Sequence, residues 1–140
     1  MRVITTTLLL FILASCSCKK EEVLWSQLDM WKMAYEFDKT IEVVPIPDTP
    51  EGALKRVLCS NYRTEGCTIG TGKRIKIRLV EILVLRYDSA RNACLAALEI
   101  GQWHAKNWLF DDVTNEPVLI DFVQKVFDAK KPKEIADCEL

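Results

Sequence analysis

Six cysteines and one histidine carry most of the reactive chemistry that this 140-residue sequence can offer. His104 stands alone, so a multi-histidine metal centre is excluded, and any Ser-His-Asp or Cys-His site would have to be built around it. It sits beside Trp103 in a stretch patterned as a helix, where a single histidine is more often packed or exposed than catalytic. No paired C-x-x-C zinc spacing exists, and Cys59 and Cys67 lie too far apart to make one. Glu81 interrupts the apolar run Val80–Leu85. Inside a buried strand its acidity would be perturbed, as at many functional sites; at a rim it would simply pair with a basic neighbour. "CTIGTGKR", residues 67–74, falls short of a phosphate-binding loop, because Cys67 replaces the first glycine and Arg74 the metal-binding hydroxyl. Gly70 and Gly72 are read instead as turn positions with positive φ.

The elements that must position these residues follow from periodicity. Glu21 to Phe37 predicts a helix, with Leu24, Leu28, Trp31 and Tyr35 on its apolar face and Glu21 and Glu22 suiting its N-terminal dipole. Its core role competes with a contact of Trp25 or Trp31 with a membrane or partner. Ile41–Val44 predicts a strand, and Thr49-Pro50 starts a helix running to about Leu58 or Cys59. A loop rich in Ser, Asn, Thr and Gly spans Cys59–Lys73. Arg74–Arg86 predicts one strand, rich in β-branched residues. Asp88 or Ser89 caps a long helix that carries a small-residue stripe through Ala93, Ala97 and Gly101 and ends near Phe110. The acidic turn Asp111–Glu116 lacks the spacing and glycine of an EF-hand. Thr114 or Asn115 then caps a last helix running to about Ala129, and Lys130-Lys131-Pro132-Lys133 forms its cationic end. The expected fold class is α+β, a small sheet packed by about four helices and stabilised by disulfides.

The N-terminus supplies an address. Val3–Leu13 is a greasy segment introduced by Arg2 and closed by small residues. It is far shorter than the ~20 apolar residues that span a bilayer. Leu13-Ala14-Ser15-Cys16 resembles the lipobox of bacterial lipoprotein signal peptides, in which the cysteine sulfur takes a diacylglyceryl group and the peptidase cuts before it. The resemblance implies that residues 1–15 are a signal peptide and that Cys16 begins the mature chain and is its lipidation site. Residues 16–22 are then a short tether and residues 23–140 a single globular domain. Ser17, in place of the Asp that often retains lipoproteins in the inner membrane, favours the outer membrane facing the periplasm. Two or more acyl chains anchor stably where one does not.

An exported domain lives in an oxidising compartment, where cysteines pair by default. Cys59, Cys67, Cys94 and Cys138 allow three connectivities. The preferred pairing is Cys59–Cys67 with Cys94–Cys138, and Cys18 is left over. A narrower resemblance covers residues 75–110. Ala90, Ala93, Ala97, Trp103, Leu109 and Phe110 look like the alanine-rich helix that follows a strand in DsbA-type thioredoxin-like proteins. It implies a thiol–disulfide oxidoreductase ancestry, but the C-x-x-C pair that such chemistry needs at a helix N-terminus is missing.

The net charge of −1 supplies no broad drive toward nucleic acid, and neither a cofactor motif nor a second domain is visible. The leading expectation is a membrane-anchored envelope lipoprotein without catalysis. It would meet an envelope protein partner through its first helix or the Cys59–Lys73 loop. A thiol-redox protein and a carrier of a small apolar ligand are the alternatives.

Overall fold

Ser26 decides where the first helix begins. In the computed structural model, which describes residues 21–139, α1 spans Gln27–Phe37. The Ser26 hydroxyl accepts from the Asp29 amide at 3.1 Å, and the Asp29 carboxylate accepts from the Ser26 amide at 2.8 Å. This reciprocal box satisfies two amides that a helix start otherwise leaves unpaired. The helix therefore starts later than the expected Glu21, and its buried face changes. Met30 and Ala34 are buried, whereas Leu28 is 74% and Tyr35 43% exposed. The stripe Leu24–Leu28–Trp31–Tyr35 is not the core face, although Trp31 packs partly against the core.

Strand β1 is short, Glu42–Val43. Thr49 caps α2 (Pro50–Ala53) as expected, its hydroxyl accepting from the Gly52 amide at 3.0 Å. The helix stops after one turn instead of reaching Leu58. The Lys55 and Arg56 amides bond three residues back, tightening the chain, and Val57 turns into the core. The expected single strand over Arg74–Arg86 is a hairpin. β2 (Lys73–Ile77) and β3 (Val80–Arg86) are joined by Arg78 and Leu79, with Arg78 at φ 57° and Leu79 fully at the surface.

Ser89 caps α3 (Ala90–Ile100), and Gly101, left-handed at φ 65°, ends it. A left-handed glycine is a common way to close a helix. The chain then forms a second hairpin, β4 (Trp103–Ala105) and β5 (Trp108–Asp111), where a helix to Phe110 was expected. Helix α4 spans Pro117–Phe127 and is capped by Glu116 rather than Thr114 or Asn115.

The five strands form one antiparallel sheet in the order β1-β2-β3-β5-β4. Alternation along it separates two cores. Ile75, Ile82, Val84, Trp108 and Phe110 face α1 and α4. Leu85, Tyr87 and Leu109 face Val57 and the alanines of α3, whose small side chains let the helix lie close to the sheet. The fold is α+β, and both cysteine pairs are at disulfide geometry. Cys59–Cys67 and Cys94–Cys138 have Cα separations of 5.8 and 5.4 Å. The first clips the loop beside β3, where the Thr68 amide bonds the Arg86 carbonyl; the second ties the C-terminal 3₁₀ turn, Ile135–Cys138, to α3.

Candidate functional site

Residues 22–26 lie outside any helix or strand rather than forming the first turns of a helix, and polar side chains hold them to the domain. Asn107, buried in the β4–β5 turn, accepts from the Trp25 amide at 2.8 Å and donates to the carbonyls of Trp25 and Tyr87 at 3.2 and 3.1 Å. The Trp108 indole N–H donates to the same Trp25 carbonyl at 3.1 Å. Glu22 accepts from the Ala90 amide at 2.7 Å, so its carboxylate meets the positive end of α3, not of α1.

On the other side of β4 runs the segment after α4. Asp128 adopts φ 50°, ending the helix, and the chain turns to pair with the sheet edge. The amides of His104 and Lys130 each donate to the other's carbonyl at 2.9 Å. This covers the open edge of β4, a surface that otherwise invites pairing with another chain. The lysine run is therefore not a helix end. Asp137 fixes its course by accepting from the Lys133 and Glu134 amides at 2.7 and 3.2 Å, contacts that hold its carboxyl below the ordinary range.

Between these two segments lies a cleft of about 670 Å³. Trp25 and Phe127 form an apolar wall, their ring centroids 5.9 Å apart. Lys106, Lys130, Lys131 and Lys133 surround it, with Asp128 and Asp137 as the acidic members. His104 contributes to the wall at 9% exposure, and its Nδ1 is buried without a hydrogen-bond partner. Burial pushes the imidazole below its ordinary pKa and Lys130 adds to the effect, against an opposing backbone contact with Lys106. The folded chain thus resists protonation of His104, whereas the unfolded chain accepts a proton near pH 6.5. Stability from this residue is complete above that pH and falls as pH drops through it toward the lower folded value. The urea midpoint of the native protein should therefore fall more steeply between pH 7 and pH 5 than that of His104→Gln. One proton sets a limit of about 1.4 kcal/mol per pH unit on the difference.

The other residues singled out in the sequence lie elsewhere. Glu81 is exposed on β3 and meets Arg74 at 3.2 Å, so it sits at a rim. Cys59–Cys67 is half-buried across the sheet face packed by α3, while Cys94 and Cys138 are fully buried. Trp31 packs against the core from α1. Cys16, Cys18 and the whole segment Leu13–Cys16 lie outside the described residues. Of the named candidates, the fold brings Trp25 and His104 into one cleft. Gly70 adopts φ 81°, as expected for a turn, but Gly72 serves a different need: a Cβ there would lie 2.0 Å from the Val57 carbonyl oxygen.

Comparison with known proteins finds no matching family, curated protein or solved structure. Among the described residues, no group of three or more His, Cys, Asp or Glu is placed to hold a metal ion, and no helix is long and apolar enough to cross a membrane. The cleft combines cationic charge with apolar surface. It offers cationic side chains, an aromatic wall and a buried imidazole, and no hydroxyl or thiol nucleophile lines it beside His104.

Asn107 and the lysine run are functional candidates that pattern reading missed. Lys130–Lys133 was visible as a charge cluster, but its placement depends on a pairing with β4 that begins only after α4 ends. Asn107 has no sequence signature apart from its place in an unrecognised turn.

Proposed function

We propose that this chain is a lipid-anchored lipoprotein module of the bacterial cell envelope, acting by binding rather than by catalysis. Cys16 carries the lipid, residues 1–15 are removed as a signal peptide, and the domain sits at the outer membrane facing the periplasm. The observation that carries this reading is the stapled segment Glu22–Trp25. It fixes the end of the tether against the cleft wall instead of letting the domain swing freely. Cys16 and Glu22 are six positions apart, and an extended chain covers at most ~3.5 Å per residue. The cleft is thus held within roughly 20 Å plus its own depth of the anchoring bilayer. Two disulfides suit an oxidising compartment. An envelope protein is a partner that the exposed C-terminal half of α1, with Tyr35 and Phe37, would accommodate.

Intact-mass and peptide mass mapping of the membrane-purified protein tests the reading. A mature N-terminus at Cys16 bearing a thioether-linked diacylglyceryl group is the expected result. A chain that retains residues 1–15, or whose Cys16 is an unmodified thiol, would overturn it.

A further inference from the structure

The cleft has the chemistry of an anion site placed where a membrane would supply the anion. Lys106, Lys130, Lys131 and Lys133 line it, and none of these ammonium groups is engaged in an ion pair among the described residues. Of the two lining carboxylates, Asp137 is occupied by backbone amides, so the open charge is positive. The wall adds an aromatic surface, with Trp25 against Phe127, and the nine-tenths buried His104 closes it. The chain on either side of Trp25 is apolar and exposed. Val23, Leu24 and Leu28, flanking Trp25, are 63%, 43% and 74% exposed, on a segment that follows directly from the tether. An indole beside lysines, with aliphatic side chains projecting nearby, is the composition of a membrane–water interface contact.

We propose that the cleft seats the phosphate of an anionic phospholipid headgroup, docking the domain onto the bilayer that anchors its own N-terminus. The docked orientation rests on the anchored reading above; the headgroup site does not. Lysines receive the phosphate as mobile point charges, Trp25 lies at headgroup level, and Val23, Leu24 and Leu28 enter the boundary with the acyl chains. Because the lysines are exposed, binding weakens with salt as the Debye length shortens.

The core, both disulfides and the stapled segment all lie within residues 22–139, so the oxidised chain beginning at Ser17 retains the fold without the anchor. Co-sedimentation of that chain with phosphatidylcholine vesicles, with and without phosphatidylglycerol, is the test. Binding only to the phosphatidylglycerol vesicles is expected. Lys131→Gln with Lys133→Gln should weaken it roughly 30-fold, each lysine near the surface contributing about fivefold. Lys55→Gln with Lys76→Gln, at the far edge of the sheet, should leave it unchanged. Equal binding to neutral vesicles, or an equal loss in both double variants, would overturn the site. So would saturation by inorganic phosphate without any vesicle preference, which would assign the cleft to a soluble phosphate. The mass of Cys16 is read separately. Lipidation without vesicle binding removes this proposal alone, and vesicle binding with an unmodified Cys16 removes the anchor alone.

Discussion

Replacing Cys94 and Cys138 together by alanine is expected to lower unfolding stability by roughly 4 kcal/mol, and the corresponding change at Cys59 and Cys67 by roughly 2.5 kcal/mol. The difference follows from the loops the two bonds close. The first joins residues 44 positions apart and the second only 8, and the entropy removed from the unfolded chain grows with the logarithm of that span. Guanidinium unfolding of the native protein and the two double variants measures both values, and equal losses would contradict the loop-length account. Cys94 and Cys138 are also fully buried, whereas Cys59 and Cys67 are half-buried. Graded reduction should therefore open Cys59–Cys67 first. The longer bond has a further consequence for the cleft. Cys138 pins the 3₁₀ turn Ile135–Cys138, and Asp137 within that turn holds the backbone of Lys133 and Glu134. Loss of this bond should release the lysine segment as well as destabilise the domain.

Asn107→Ala is expected to cost about 3 kcal/mol. The side chain makes three hydrogen bonds to the main chain of Trp25 and Tyr87 from a position only 3% exposed. Each such bond contributes about 1 kcal/mol net, and a buried amide or carbonyl left without a partner costs ~1–3 kcal/mol. The Trp25 carbonyl keeps the Trp108 indole, which limits the loss there. Thermal or urea unfolding gives the total, and hydrogen exchange localises it. The Trp25 amide should exchange much faster in the variant, while the amides of β3 slow or quicken only with global stability. If the segment Glu22–Trp25 remains protected, Asn107 is not what holds it. Asn107→Asp is the sharper comparison. It keeps the acceptor for the Trp25 amide but faces the two carbonyls with an oxygen in place of the donor.

Caps were readable and so were their consequences when the cap stood alone. Thr49-Pro50 and Ser89 start helices where their side chains can reach an amide three residues on. The first helix was misplaced because Glu21 and Glu22 looked like its acidic first turn, while Ser26 and Asp29 held the stronger reciprocal box. Gly101 carried a legible stop signal, but it was absorbed into a small-residue stripe that continued apolar through Trp108. Both hairpins were missed for one reason. Their turns are Arg78-Leu79 and Lys106-Asn107, with Arg78 and Lys106 at φ 57° and 49°. Such turns ordinarily announce themselves by glycine or an Asn-Gly pair. Without it, the β-branched first hairpin reads as one long strand and the second reads as the end of the preceding helix.

The α+β class and the caps of α2 and α3 were legible in local pattern, because periodicity and side-chain reach act over short spans; the cysteine pairing was one preference among three connectivities, and the fold decides it. The cleft was not legible. It needs Trp25 from the N-terminal segment, His104 from the edge of the sheet and the lysines beyond α4, separated by long stretches of chain. They meet because Asn107 recruits one segment and the backbone of β4 recruits the other. A hydrogen bond between residues 82 positions apart leaves no periodicity behind, so its partners come together only in the folded chain.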